Sequence, residues 1–242
     1  AYAQVIDTIG VDKLISMAKL VGIDSTVEPY GTSTLGTSSV TPLEMAEGYS
    51  TIANNGLHRD TVAIVKIEDR NGNVVYQHED NPEQVVDAAV AADARQVLEN
   101  VFNAGHTTWY AKSYFTANQP AAGKTGTTDD WHDLWFVGYT PQLSCAVWTG
   151  SRDNSVQLET NTWCQEIWRA LISACLQGQP NEDFKSASAP NYNSAYKGGG
   201  KSEDEDEDEE KKEEEATEET TEETPEETPG ETAGGTAGET PG

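Results

Sequence analysis

The sequence predicts an α+β fold, an antiparallel sheet packed by helices, continued by a disordered acidic tail. Three observations carry that prediction. The strand-like runs Ala121–Thr127, Leu134–Tyr139 and Leu143–Gly150 follow one another closely, with connections too short for parallel crossovers. Helical patterns stand in blocks on either side of these runs instead of alternating with them, the order expected of α+β chains. From Lys201 to Gly242 there are 19 Asp and Glu against 3 Lys, with no aromatic or large aliphatic side chain. Such a segment cannot bury enough apolar surface to offset its chain entropy.

The elements follow in order. Ala1–Ile9 repeats apolar residues at helical spacing, with Gly10 as a stop. Asp12 is placed to cap a second helix through Leu20, closed by Gly22, and Glu28–Ser39 reads as loop. Thr41-Pro42-Leu43-Glu44 combines an N-cap, a proline at the first helical position and a capping-box acid. The helix it opens has Met45, Ala46, Tyr49, Ile52 and Ala53 on its apolar face and ends at Gly56. Thr61–Glu68 and Val74–His78 predict a hairpin around Asn71-Gly72. Ala91–Asn103 predicts a helix with Val97, Leu98, Val101 and Phe102 toward a core, stopped by Gly105. Thr162 with Gln165 predicts a second capping box, opening a helix from Trp163 to about Gln177 that lies on one face of the sheet. Residues 1–180 are thus expected to form one domain, 181–200 a flexible linker and 201–242 the tail.

Charge narrows the function. The net charge is −27, of which the tail contributes −16, and like charge repels nucleic acid and anionic membrane surfaces. No apolar run approaches the roughly 20 residues that span a bilayer, and no signal peptide is evident. Residue 1 is Ala and not Met, so further sequence upstream is expected. Cys145, Cys164 and Cys175 form no C-x-x-C pair, which argues against zinc. Cys164 and Cys175 stand about 16 Å apart along one helix, too far for a disulfide. Three small buried side chains are expected, with a Cys145–Cys164 bridge as the alternative. No cofactor is called for. His58, His78, His106 and His132 are scattered without metal-ligand spacing and read as solvated or hydrogen-bonded residues.

The run Ala121-Ala122-Gly123-Lys124-Thr125-Gly126-Thr127-Thr128 must first be separated from a phosphate loop. A phosphate loop has a glycine five positions before the Gly of Gly-Lys-Thr and opens a helix. Here that position is Asn118, and another strand-like run follows. The remaining reading is a strand that serves as a substrate template. Lys124 supplies a fixed positive charge for a substrate carboxylate and for a neighbouring oxyanion or alkoxide. Thr125 and Thr127 offer hydroxyls for the same carboxylate, and the Thr127 N–H is a candidate oxyanion donor. Gly126 admits close approach, and free N–H and C=O groups could pair with an extended peptide.

The surrounding runs sharpen this. AAGKTGTTDDWHDLWFVGYTPQLSCAVWTG resembles the third active-site motif and the next two sheet strands of class A penicillin-binding proteins. TSSVTPLEMAEGYSTIANNG is similar to the helix before the hairpin in that family, and Val62–Tyr76 fits the hairpin. AYAQVIDTIGVDKLISMAKLVGI is similar to the segment directly after the family's second motif, Ser-x-Asn. The resemblance spans about residues 1–178 and implies an incomplete serine β-lactamase/penicillin-binding transpeptidase fold. It implies a peptidoglycan D,D-transpeptidase, in which the serine of a Ser-x-x-Lys motif is acylated by a stem peptide or a β-lactam. Lys124, Thr125, Gly126 and Thr127 would bind the substrate. Stem peptides, β-lactams and the N-terminal part of the same protein are the implied partners, on the bacterial cell surface with a membrane anchor upstream. A serine D,D-carboxypeptidase or β-lactamase-like hydrolase shares the motif and is the alternative, and a non-catalytic surface protein working through its tail is a third reading.

The family places both serine motifs before the point where this sequence starts, so no nucleophile is expected in it. Ser16-Met17-Ala18-Lys19 matches Ser-x-x-Lys literally, but it falls within an ordinary amphipathic helix. Ser194-Ala195-Tyr196-Lys197 lies in the linker, where nothing would hold a reactive geometry. No Ser-x-Asn occurs. Asp133, Trp135 and Phe136 are expected to build the sheet, Asp129 and Asp130 a turn, and His132 to lie near the motif. Trp109, Tyr110, Tyr114 and Phe115 would rim the cleft.

Overall fold

The structure, a computed structural model, describes residues 2–102, 119–160 and 162–187. Gly105, His106, Trp109, Tyr110, Tyr114, Phe115, Ser194–Lys197 and the acidic tail lie outside the described residues. A compact unit runs from Ala1 to Tyr192, and the second unit, Asn193–Gly242, lies wholly among the residues not described.

Within the first unit the order is α1 (Tyr2–Ile9), α2 (Val11–Leu20), a 3-10 turn (Gly31–Leu35) and α3 (Pro42–Ala53). Next come β1 (Leu57–His58), β2 (Lys66–Glu68), β3 (Val74–Gln77), β4 (Glu83–Gln84) and α4 (Ala88–Glu99). The chain closes with β5 (Ala122–Thr127), β6 (Asp133–Tyr139), β7 (Ser144–Gly150) and a last helix, α5 (Trp163–Cys175). The expected antiparallel sheet is present in the order β5-β6-β7.

Alternation along β6 separates two faces. Leu134 and Phe136 point into the main core with Phe102, Cys164, Trp168 and Ile172, so α5 covers this face. Phe136 and Phe102 meet the Trp168 ring at 5.3 and 5.6 Å between centroids, and the Trp168 Nε1–H donates to the Gly138 carbonyl at 3.0 Å. On the other face Tyr139 meets Tyr49 of α3 edge-on at 6.1 Å. Burial pushes the Tyr49 phenol up to about 12, with a smaller contribution from Tyr2. The predicted capping box of α3 forms: Glu44 N–H donates to Thr41 Oγ1 at 3.2 Å, and Thr41 N–H donates to Glu44 Oε2 at 2.7 Å.

The structure corrects several expectations. Gly10, at φ 82°, caps α2, and Asp12 falls inside its first turn. The hairpin pairs only from Lys66, with its turn organised by Asp69, which accepts from the Asn71 and Asn73 N–H groups. Helix α4 begins earlier, at Ala88, capped by Asp87. It buries Ala89, Ala91, Ala92 and Arg95, whereas Val97 is 68% exposed. Thr162 does not cap α5 through its side chain; its hydroxyl donates to Glu166 instead. All three cysteines are free, Cys175 is exposed, and no Cys145–Cys164 bridge forms. Finally, residues 181–187, expected to start a flexible linker, are docked on the domain through Glu182, Phe184 and Lys185.

Candidate active site: an open strand edge

Strand β5 is an outer strand of its sheet, bonded on one side to β6. The Thr128 N–H donates to the Asp133 carbonyl at 3.0 Å, which fixes the phase of the ladder. By alternation, the N–H and C=O groups of Lys124 and Gly126 face β6, while those of Gly123, Thr125 and Thr127 face outward. The Thr127 N–H, the candidate oxyanion donor, and the Thr125 carbonyl are therefore on the side that no described strand pairs.

Lys124 is exposed, and its Nζ donates to the Thr125 carbonyl at 3.0 Å and to Thr125 Oγ1 at 3.3 Å. It makes no ion pair among the described residues. The ammonium thus folds over the outer edge of its own strand, beside the hydroxyl expected to share a carboxylate with it. Thr127 is exposed at the end of the strand. The four motif residues lie side by side on this edge.

Glycine makes the edge thin. A Cβ at Gly126 would stand 3.1 Å from Trp135 Cβ across the ladder, and one at Gly123 would stand 2.7 Å from the Val137 carbonyl oxygen. Trp135 in turn lies against Trp148 at 6.5 Å, and the Trp148 Nε1–H donates to Asp133 Oδ1 at 2.9 Å. Asp133, Trp135 and Phe136 therefore build the sheet under the motif, as expected. Asp129 and Asp130 form the turn, in which Asp130 (φ 54°) and Trp131 (φ 57°) are both left-handed. His132 Nδ1 is tied to the Val156 carbonyl at 3.1 Å.

Other singled-out residues fall elsewhere. Ser16 is exposed in α2 and donates to the Asp12 carbonyl at 2.8 Å. The fold, unlike the sequence spacing, brings His58 to Glu47 (3.6 Å) and Asp60 (3.4 Å). His58 Nδ1 is also bonded to Thr51 Oγ1 at 3.0 Å, and Glu47 accepts from Thr61, so the triad is a hydrogen-bonded join between α3 and the chain after β1. The candidate metal ligands of this group lie within 4.8 Å of one another, with Asp60 almost fully exposed. A concave space of about 300 Å³ lies at the far end of β6, near Asn54, Arg59, Thr140 and Gln142. It does not adjoin Lys124, so the candidate site is an edge and not this cavity.

Comparison with known proteins points to one family. The family model for the penicillin binding protein transpeptidase domain matches residues 7–154. The chain is 30% identical over 183 residues to penicillin-binding protein 2D of Bacillus subtilis, covering 73% of this chain and 26% of that protein. It is 31% identical over 188 residues to penicillin-binding protein 1A of Aquifex aeolicus, covering 76% and 25% respectively. The chain thus spans about a quarter of the length of these relatives. Among solved structures, the penicillin-binding protein PonA1 from Mycobacterium tuberculosis superposes with a TM-score of 0.62 at 26% identity, over 71% of this chain and 51% of that one. Penicillin-binding protein 1A from Haemophilus influenzae has a TM-score of 0.67 at 20% identity over 78% of this chain and 34% of that one, a likeness of fold.

Proposed function

The chain belongs to the penicillin-binding protein transpeptidase domain family, and on that premise we propose that it supplies the substrate-binding strand of a peptidoglycan D,D-transpeptidase. The observation that carries this is the open edge of β5. The Lys124 ammonium, the Thr125 hydroxyl and the outward N–H of Thr127 stand together there, on the side that no described strand pairs. A stem peptide ending in a carboxylate would lie along this edge. Its carboxylate would draw the Lys124 ammonium away from the Thr125 carbonyl, exchanging a neutral acceptor for a charged one. The Thr127 N–H would then face the carbonyl under attack and hold the oxyanion as it forms. PonA1 has been solved in complex with penicillin V, and a β-lactam, whose carboxylate and carbonyl are similarly spaced, would occupy the same edge.

No serine in this chain sits where it could be activated toward that edge among the described residues, so the nucleophile is assigned to another part of the protein. This chain alone is expected neither to form a penicilloyl adduct nor to transpeptidate. The working enzyme would act at the bacterial cell surface. No helix of the described residues is long and apolar enough to cross a membrane.

The test is acylation of the whole protein by fluorescent penicillin. The wild type should form a stoichiometric, long-lived adduct, and Lys124→Met should form it about 10- to 100-fold more slowly, the range of one charge-assisted hydrogen bond. An unchanged rate in Lys124→Met would sink the assignment. Rapid turnover of penicillin by the wild type would shift it to a hydrolase of the same fold.

A further inference from the structure

Gln119 lies three residues before β5 and is buried, yet both ends of its side-chain amide are bonded to the chain that follows α5. Its Oε1 accepts from the Glu182 N–H at 3.0 Å, and its Nε2 donates back to the Glu182 carbonyl. The amide therefore pairs with Glu182 as a neighbouring strand would. Gln142 Nε2 joins the same node, donating to Gln119 Oε1 at 3.1 Å and to the Pro180 carbonyl at 3.2 Å.

Two residues further on, Phe184 is held from two sides. Its ring meets Tyr139 edge-on at 5.6 Å, and the Arg95 guanidinium lies 5.0 Å from its centroid. Tyr139 is the register partner of Ala122, the first residue of β5. Arg95, itself buried, donates to the Lys185 carbonyl at 3.0 Å, as does Asn55 Nδ2 at 3.2 Å. Residues 180–185 thus form a strap clamped by α3's end, α4, the β6–β7 connection and the lead-in to β5.

An edge strand has one ladder only, so its position depends on that ladder and on how its two ends are tied. The far end of β5 is tied by the bonds of Thr128 to Asp133, and the near end by Gln119. From this we infer that Gln119 is a positioning residue for the substrate edge Lys124–Thr127, and that the strap centred on Phe184 holds it in place. This inference rests on the functional reading above for its effect on catalysis, while the effect on strand order stands apart from it.

The whole protein is tested as wild type, Gln119→Met, Phe184→Ala, the conservative Phe184→Tyr, and Ile172→Val, a core control under the opposite sheet face. Acylation by fluorescent penicillin and hydrogen exchange of the 119–128 segment are measured beside the melting temperature. Gln119→Met and Phe184→Ala should slow acylation about tenfold or more, as displaced reacting groups do, and should speed exchange of the Ala122, Lys124 and Gly126 amides, which face β6. Phe184→Tyr should restore both, and Ile172→Val should lower the melting temperature while leaving both near wild type. The inference is overturned if Gln119→Met and Phe184→Ala behave as Ile172→Val does. If the wild type takes no penicillin, the functional reading fails, and the exchange of 119–128 alone decides for or against the strap.

Discussion

Trp168→Phe probes the joint between helix and sheet most directly. The Trp168 side chain is fully buried, ringed by Phe102 and Phe136, and bonded through Nε1 to the Gly138 carbonyl. A Cβ at Gly138 would stand 2.9 Å from Phe136 Cε1 and 3.0 Å from Trp168 Cε2, so both rings are seated directly on the strand. Phenylalanine keeps the aromatic contacts but removes the donor, at about 1 kcal/mol net. It also removes roughly one ring's worth of contact, leaving a void worth about another 1–2 kcal/mol. The expected loss is therefore about 2–3 kcal/mol, or a fall of roughly 4–12 °C in melting temperature for a domain of this size. Differential scanning calorimetry and urea titration of the whole protein would read it. A loss under about 0.5 kcal/mol, the size of a surface substitution, would refute the claim that α5 is seated on β6 through this contact.

Further outcomes follow from single features. Thr41→Ala removes the capping box of α3 and should cost about 1 kcal/mol by urea midpoint. Desolvation pushes the Glu44 carboxyl up, but the bonds from Thr41 and Ser25 together outweigh it and hold it down at about 2. A depressed carboxyl stabilises the fold above its unfolded value near 4.5 and loses that contribution as pH falls toward 2. Thr41→Ala should therefore flatten the acid limb of the stability profile. Tyr49, raised to about 12, gives stability that is complete below pH 10 and lost as pH rises through 12; ultraviolet titration should find a tyrosine still un-ionised at pH 11 that ionises on unfolding. Gly123→Ala would press a methyl on the Val137 carbonyl at 2.7 Å. It should destabilise by about 1–3 kcal/mol and slow acylation, both measured on the whole protein.

Much of this was legible in the sequence where a local rule decides. The Thr41 box, the Asn71-Gly72 turn and the three strand runs each satisfy their own backbone, and they appear as expected. The motif's edge position came with reading Lys124-Thr125-Gly126-Thr127 as a substrate template and not from the run itself, since the central strand β6 is also followed by a turn. What was not legible depends on partners distant in sequence. Val97 matches helical periodicity as well as Ala91 does, but the sheet and the strap meet the alanine and Arg95 side of α4. A polar stretch such as Asn181–Ala187 reads as linker because its one aromatic, Phe184, gives no hint that Tyr139 and Arg95 converge on it. The gathering of Glu47, His58 and Asp60 is likewise a product of the turn at Gly56 and not of spacing. Gln165 offered a capping acid surrogate to Thr162, but it is buried, and Glu166 took the bond.

The turn between β5 and β6 has a consequence for engineering. Asp130 and Trp131 sit consecutively in a conformation that costs an L-residue roughly 1–2 kcal/mol each. Glycine at either position would relieve that cost, and a search guided by melting temperature alone would select it. The same exchange would give slack to the joint where Thr128 and Asp133 moor the exit of the lysine-bearing strand. Here a gain in heat tolerance and a loss of grip on substrate would arrive through one substitution.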